Sequence, residues 1–525
     1  MKKVIHGEDT YKQLLKGAQV ISKVVGSTLG PKGSNVAISR DWGVPSVIHD
    51  GVSVAREVED KDPGVNMGIQ LVREAAQKTN DMAGDGTTTA TILAYAISKE
   101  AIRNVMAGAN AMILRKGMNK AVKKIVQTLR DISKPVKDIK EIRQVATVSA
   151  QSQDIGDIIT GAIEKLGHDA VIAVEESAGT DIMVDYKEGM QFDKGFASPH
   201  FITKPDTNEA EISDPYIFLT DYKFDDVQRL VDLFKNFGSL EKQGTNLVII
   251  ADSFSPAILA HILSNKLQGR LNVIPIQCPY YGEKRADFLA DLAVVTGGSF
   301  ISSEAGDSIK DMTIEDYGRA QLVNSTADRT MIVGGMGPKS SIDMRVMQLK
   351  KAQSLAKKEF DQENLQERIA KLSAGIAVIT VGAGSEMEMR EIKERCIDAI
   401  NATKSAIEEG IIFGGEVALL EASLKCDVDA DNQDERLGVN IIVNACQEPF
   451  KVLMENSGFN PGQMLERVIK SSSGKGVDVM DGEIKDLLTA GIVDPVKVSR
   501  CALENASSCA TMLMTTKSLI VEKKK

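Results

Sequence analysis

The chain predicts a multidomain α+β protein with an α/β portion, and three observations carry that expectation. Its 525 residues exceed what one compact core accommodates, which sets a prior of about three to four domains. Apolar residues recur at helical spacing near both ends of the chain. The middle instead alternates short β-branched runs with helical stretches, the pattern of α/β architecture.

The elements follow in order. Leu14, Ala18, Ile21 and Val25 share one helical face, and Gly30-Pro31 breaks the pattern, so a helix delivers the chain into the turn TLGPKG, residues 28–33. A second helical pattern covers residues 68–83 and stops at Gly84-Asp85-Gly86. Thr87 then reads as the cap of a third helix through Ile92, Leu93 and Ala96. Strands are expected at residues 170–174, 247–250, 273–276 and 377–381. After Arg395 the pattern is helical again, apart from a Gly-rich stretch at residues 474–482.

Composition narrows the function classes. With 43% hydrophobic and 26% charged residues the chain is globular rather than disordered. A net charge of -10 and a pI near 5.3 argue against a nucleic-acid partner, which needs a dense cationic surface. The only basic run is Lys523, Lys524 and Lys525, which reads as a solvated tail. The opening MKKVIHGEDT turns polar too early for a secretory signal, and no run reaches the ~18 apolar residues of a membrane span, so a cytoplasmic or organelle-matrix location and no membrane partner are expected. Cys278, Cys396, Cys426, Cys446, Cys501 and Cys509 form no C-x-x-C pair and have no histidine at zinc-ligand spacing; they read as reduced thiols.

Gly84-Asp85-Gly86-Thr87-Thr88-Thr89 carries the most chemistry. Two glycines let a ligand approach the backbone, three hydroxyls follow, and the free N–H groups of a helix start face any bound anion. Asp85 would repel bare phosphate but suits a phosphate-bound divalent cation, so Mg-nucleotide is the natural ligand. In isolation the string is more often an ordinary turn and cap. TLGPKG is a second glycine turn with Lys32 as a cation, and helix-stop chemistry explains its Gly30 and Pro31 as well. No P-loop, kinase or dinucleotide fingerprint occurs.

Taken together, TLGPKG, DGVSVARE (residues 50–57), GDGTTTAT, EGMQFDKG (188–195), LQERIAKLSAGIAVITVGA (365–383), Glu408-Glu409-Gly410 with Gly414-Gly415, and GIVDP (491–495) resemble the GroEL-type group I chaperonins, in order and over nearly the whole chain. The resemblance implies a mainly helical equatorial domain (1–131 plus 409–525), a small intermediate domain (132–188 plus 376–408) and an α/β apical domain (189–375). It implies an ATPase using ATP, Mg2+ and K+. Thr28, Leu29, Gly30, Pro31, His49, Asp85, Gly86, Thr87, Thr88, Thr89, Gly415, Asp478, Val479, Met480 and Asp494 would line the nucleotide pocket. Asp85 and Asp398 would hold Mg2+, Asp494 would bond the ribose, and Asp398 with Asp50 would orient the attacking water, Asp398 arriving when the intermediate domain swings down.

Phe196, His200, Phe201, Val231, Phe234, Leu259, Leu263 and Ser264 match the family's surface for unfolded polypeptide clients and a GroES-type co-chaperonin. Hinges are implied near Gly189 and Gly375, with lower ones near Pro135 and Gly410. The expected assembly is a homo-oligomeric seven-membered ring, two rings stacked. Several positions depart from the family. His49 replaces a lysine, which lowers nucleotide affinity or makes it pH-sensitive. Glu416 replaces a glycine and Ala374 a hinge glycine, and His200 and Ser264 make the apical surface more polar. Lys451 and Asn460 stand where the family has an inter-ring Arg–Glu pair, which weakens ring stacking. The alternative is a diverged paralogue with a scaffolding role and little folding activity.

Overall fold

The computed structural model describes residues 2–39, 46–136, 138–167, 171–177, 179–205, 207–240, 246–356, 359–373 and 375–522. Ala170, Ala374 and Lys523 to Lys525 lie outside the described residues. The chain forms two compact units: residues 1–164, 176–182 and 381–525 in the first, 165–175 and 183–380 in the second.

The first unit is a helical bundle. Its helices include Glu8–Gly26, Pro63–Ala83, Thr87–Met106, Ala111–Asp131, Gln433–Ala445 and Val496–Thr515. Leu14, Ala18, Ile21 and Val25, the face read from spacing, have no exposed surface at all. That face can pack closely because Gly17 and Gly68 meet at the helix crossing. A β-carbon on Gly17 would stand 2.1 Å from the Val65 carbonyl oxygen, and one on Gly68 would stand 2.3 Å from that of Leu14. The second helix starts earlier than its apolar pattern, at Pro63, where the Asp62 carboxylate accepts from the Gly64 N–H and proline occupies the first turn. The third is capped by Gly86 in a left-handed conformation, so Thr87 is its first helical residue rather than its cap.

The two chain ends are tied together. Strand Lys2–His6 pairs antiparallel with Ser518–Glu522, and the Tyr11 hydroxyl donates to the Met514 carbonyl at 3.2 Å. Where a lower hinge is expected, two distant segments are hydrogen-bonded to each other: Lys134 and Ile411 exchange N–H···O bonds of 2.8 Å, and Gly410 has φ 87.

The second unit is built on an eight-stranded mixed sheet. Its main path runs Asn272–Gln277, Asn246–Ala251, Tyr216–Thr220, Gly318–Ser325, Thr330–Gly335, Gly189–Phe192. The first three strands are parallel, and Leu247 to Ile250 are wholly buried, as a central strand covered on both faces requires. A separate three-stranded sheet joins Val171–Glu176, Ile376–Val381 and Ile182–Lys187. The strands expected at residues 170–174, 247–250, 273–276 and 377–381 are thus all present, each one or two residues longer or shifted. Among the described residues no helix is long and apolar enough to cross a membrane.

Candidate functional site

Every residue assigned to the nucleotide pocket lies in the first unit, although the assigned residues span from Thr28 to Asp494. Local rules place each one. The Glu8–Gly26 helix ends in the turn at residues 28–33, where the buried Thr28 hydroxyl donates to the Val25 carbonyl at 2.8 Å and Gly30 takes φ 86. The Asn456 amide donates to the carbonyls of Gly26 and Leu29 at 2.9 and 3.0 Å, which fixes the turn from outside. Lys32 reaches across to the Met480 carbonyl at 3.4 Å and lies 5.5 Å from the Phe459 ring centre, so residues 28–32 and 478–480 meet.

Asp50 caps the Gly51–Glu57 helix, accepting from Val52 N–H at 3.1 Å and Ser53 N–H at 2.7 Å. Each oxygen keeps a further lone pair for a water. Gly51 lies against the threonine turn so closely that a β-carbon there would sit 3.0 Å from the Thr87 hydroxyl oxygen. In that turn Gly84 and Gly86 take φ 69 and 83, values a β-carbon disfavours, and the Gly86 N–H folds back to the Asp85 carboxylate at 2.5 Å. Ser149 gives Asp85 a side-chain hydrogen bond.

The Glu386–Glu409 helix brings a further carboxylate. Asp398, Asn401 and Ser405 share one face at spacings of three and four. The Ser405 hydroxyl donates to the Ala83 carbonyl at 2.9 Å, and Asn401 fills the space that a β-carbon on Gly84 would need. Asp398 is thereby held at the cluster in this structure. Burial raises its carboxyl well above the ordinary range, and Asp50, Asp85 and Glu394 raise it further. Asp85 is likewise raised by burial and by Asp50.

Strand Ile411–Phe413 pairs with Val493–Pro495, so the Gly414-Gly415-Glu416 turn faces Asp494. The Glu416 N–H bonds the Asp494 carboxylate, while burial and Asp85 raise that carboxyl to about 6. The Thr89 hydroxyl donates to Glu416 Oε1 at 2.5 Å. Burial, Asp494 and Asp85 together push Glu416 to about 8. Asp50, Asp85, Asp398, Glu416 and Asp494 therefore form one mutually repelling carboxylate group. Among the described residues no three or more His, Cys, Asp or Glu side chains are arranged to hold a metal ion unaided.

Two assigned residues are otherwise engaged. Asp478 spends its carboxylate on the Met480 N–H (3.0 Å) and on Lys485 Nζ (2.6 Å). His49 shares a 3.0 Å hydrogen bond with Asn35, and burial, then Arg395, lowers its pKa, so the imidazole is neutral at pH 7. Sequence reading missed Ser149, Asn401, Ser405 and the Glu416–Thr89 bond; only the helical spacing of Asn401 and Ser405 from Asp398 was there to be found.

In the second unit, the expected client surface divides. His200 and Ser264 are exposed, and Phe196, Val231, Phe234, Leu259 and Leu263 are half-buried. Phe201 is a correction: it has no exposed surface and packs in the core with Phe218, Phe224 and Ile262. The Pro199–Phe201 turn directs its ring inward, beneath Lys266, whose ammonium lies 5.6 Å from the ring centre. The two positions bearing on ring stacking have partners within the chain: Lys451 pairs with Glu448 at 2.7 Å, and Asn460 caps the Pro461–Ile469 helix.

A family model described as the TCP-1/cpn60 chaperonin family matches residues 21–524. Among solved structures, chaperonin gp146 from the bacteriophage EL 2 (Pseudomonas aeruginosa), in the presence of ATP-BeFx, is similar in two crystal forms. Form II aligns with TM-score 0.70 and form I with 0.63, each at 22% identity over 99% of both chains.

Proposed function

Because the chain belongs to the TCP-1/cpn60 chaperonin family, we propose that it is an ATP-hydrolysing molecular chaperone whose nucleotide site is the carboxylate and threonine cluster of the first unit. The observation that carries this reading is the convergence of Asp50, the 84–89 turn, Asp398 and Asp494 from four distant stretches of chain. So much like charge in one place is stabilised by a bound cation. Mg2+ fits the donor set, because it is commonly held by one or two carboxylates together with phosphate oxygens and water. Its bound charge would neutralise the triphosphate.

Asp85 and Asp398 would hold that cation. The free N–H groups at the start of the Thr87–Met106 helix, with the hydroxyls of Thr87 and Thr88, would cradle phosphate. Asp398 and Asp50 would orient a water for in-line attack on the γ-phosphorus; the bond to the β,γ-bridging oxygen breaks, and ADP and phosphate leave. Asp494 would bond the ribose through the lone pairs that Glu416 N–H leaves free. K+ is carried over from the family resemblance alone. The ATP-BeFx in the phage chaperonin's crystals supports a nucleotide at this fold's site.

The half-buried Val231, Phe234, Leu259 and Leu263 would bind non-native polypeptides, with a GroES-type lid and a seven-membered ring, stacked in pairs, completing a cytoplasmic folding chamber. The division into equatorial, intermediate and apical domains belongs to the same proposal. Steady-state ATP hydrolysis and refolding of an aggregation-prone client, with a matched lid, test it together. ATP turnover with no gain in refolding would favour the scaffolding paralogue instead.

A further inference from the structure

Glu416 does two things at once. Its backbone N–H bonds the Asp494 carboxylate, and its side chain accepts the Thr89 hydroxyl at 2.5 Å. It thus bridges the turn assigned to phosphate and the acid assigned to ribose. It does so at φ 62, a left-handed conformation rarely occupied by a residue with a β-carbon. The preceding Gly415 also has positive φ, with open space around it. Glycine at 416 would meet this backbone demand with less strain, so the carboxyl group is what the position retains in exchange.

We propose that Glu416 is the affinity-setting residue of the nucleotide pocket, its carboxyl group holding the Thr89 hydroxyl that would otherwise be available to a phosphate oxygen. This rests on the nucleotide reading above. The titratable groups facing Glu416 are Asp494 from the Val493–Pro495 strand, Asp85 from the 84–86 turn and the Cys446 thiol that follows the Gln433–Ala445 helix. Asp494 and Asp85 both disfavour its ionisation, and the Thr89 bond opposes them. A nucleotide phosphate adds more negative charge beside the same carboxyl group. The phosphate therefore favours the neutral form of Glu416 as well.

The test is titration calorimetry of Mg-ADP on the full chain. Glu416→Gly is expected to bind about tenfold more tightly than wild type, the scale of one released hydrogen bond. In a Thr89→Val background that gain disappears, because the freed hydroxyl is absent. Glu416→Gln, which keeps an acceptor for the Thr89 hydroxyl, is expected to stay within about twofold of wild type. Equal or weaker binding by Glu416→Gly, a gain that survives Thr89→Val, or the same gain in Glu416→Gln each overturns the proposal. Failure of wild type to bind Mg-ADP at any pH would sink the nucleotide reading itself; binding indifferent to residue 416 would sink only this inference.

Discussion

A β-carbon placed on Gly51 would lie 2.3 Å from the Thr88 hydroxyl oxygen, closer than such atoms ever stand. The turn that presents Asp50 and the turn that presents the threonines are therefore in mutual contact. Gly51→Ala must displace the Thr88 hydroxyl and crowd that of Thr87. About 1–3 kcal/mol of stability should be lost, as for other overpacked sites, and Mg-nucleotide affinity should fall about tenfold or more. Thermal melting and calorimetry check the two effects separately, and an unchanged affinity would mean that the two turns do not share a ligand.

Asp398→Ala should leave nucleotide binding nearly intact, with Asp85 and the phosphates still holding the cation, and slow hydrolysis about 100- to 1,000-fold, since a water-orienting group acts chiefly in the transition state. Single-turnover hydrolysis beside equilibrium binding separates the two. Equal loss in both would contradict the role assigned to this residue.

The free protein should lose stability as pH rises. Glu416 and Asp494 have folded-state values of about 8 and about 6, both above the ordinary carboxylate range. A raised value favours the folded state fully below the unfolded pKa, and that advantage disappears as pH climbs through the folded one. Melting temperature should therefore drop between about pH 4.5 and about pH 8, and less steeply in Glu416→Gln. Saturating Mg-nucleotide should lift the alkaline end most. A profile that rises over this window would be incompatible with the cluster described.

Phe201 and Leu263 should respond differently to truncation. Phe201→Ala empties a core position and should cost about 3–5 kcal/mol, visible as a lower melting temperature. Leu263→Ser touches a half-buried surface position and should instead weaken suppression of client aggregation, read by light scattering. If Phe201→Ala melted like wild type, its assignment to the core would fail.

Much of the fold was legible because its periods are local. The Leu14–Val25 stripe and the four β-branched runs needed only neighbouring residues. Boundaries were less so: the pattern began at residue 68, whereas Asp62 and Pro63 start the helix by capping chemistry, not by hydrophobicity. Asp398 is an ordinary helix residue until the Ser405–Ala83 bond docks its helix, and that bond joins residues 322 positions apart. Phe201 shows the converse, since an aromatic residue in a short turn can face either way and only the surrounding core decides. The Glu416–Thr89 bond was half legible: the replaced glycine marked Glu416, but its partner lies 327 positions away and is written in no motif.

The pairing of Lys2–His6 with Ser518–Glu522 has a consequence for biosynthesis. A ribosome makes residues 1–164 early, yet the strand, helices and acids that complete their unit follow residue 380. The stretch from Met183 to Thr380 emerges as an almost self-contained body in the meantime. Nascent chains halted before Asp494 hold every threonine of the phosphate turn and still lack the acid assigned to the ribose. The proposed nucleotide pocket therefore cannot be complete until Asp494 has been made and the Val493–Pro495 strand has paired with Ile411–Phe413.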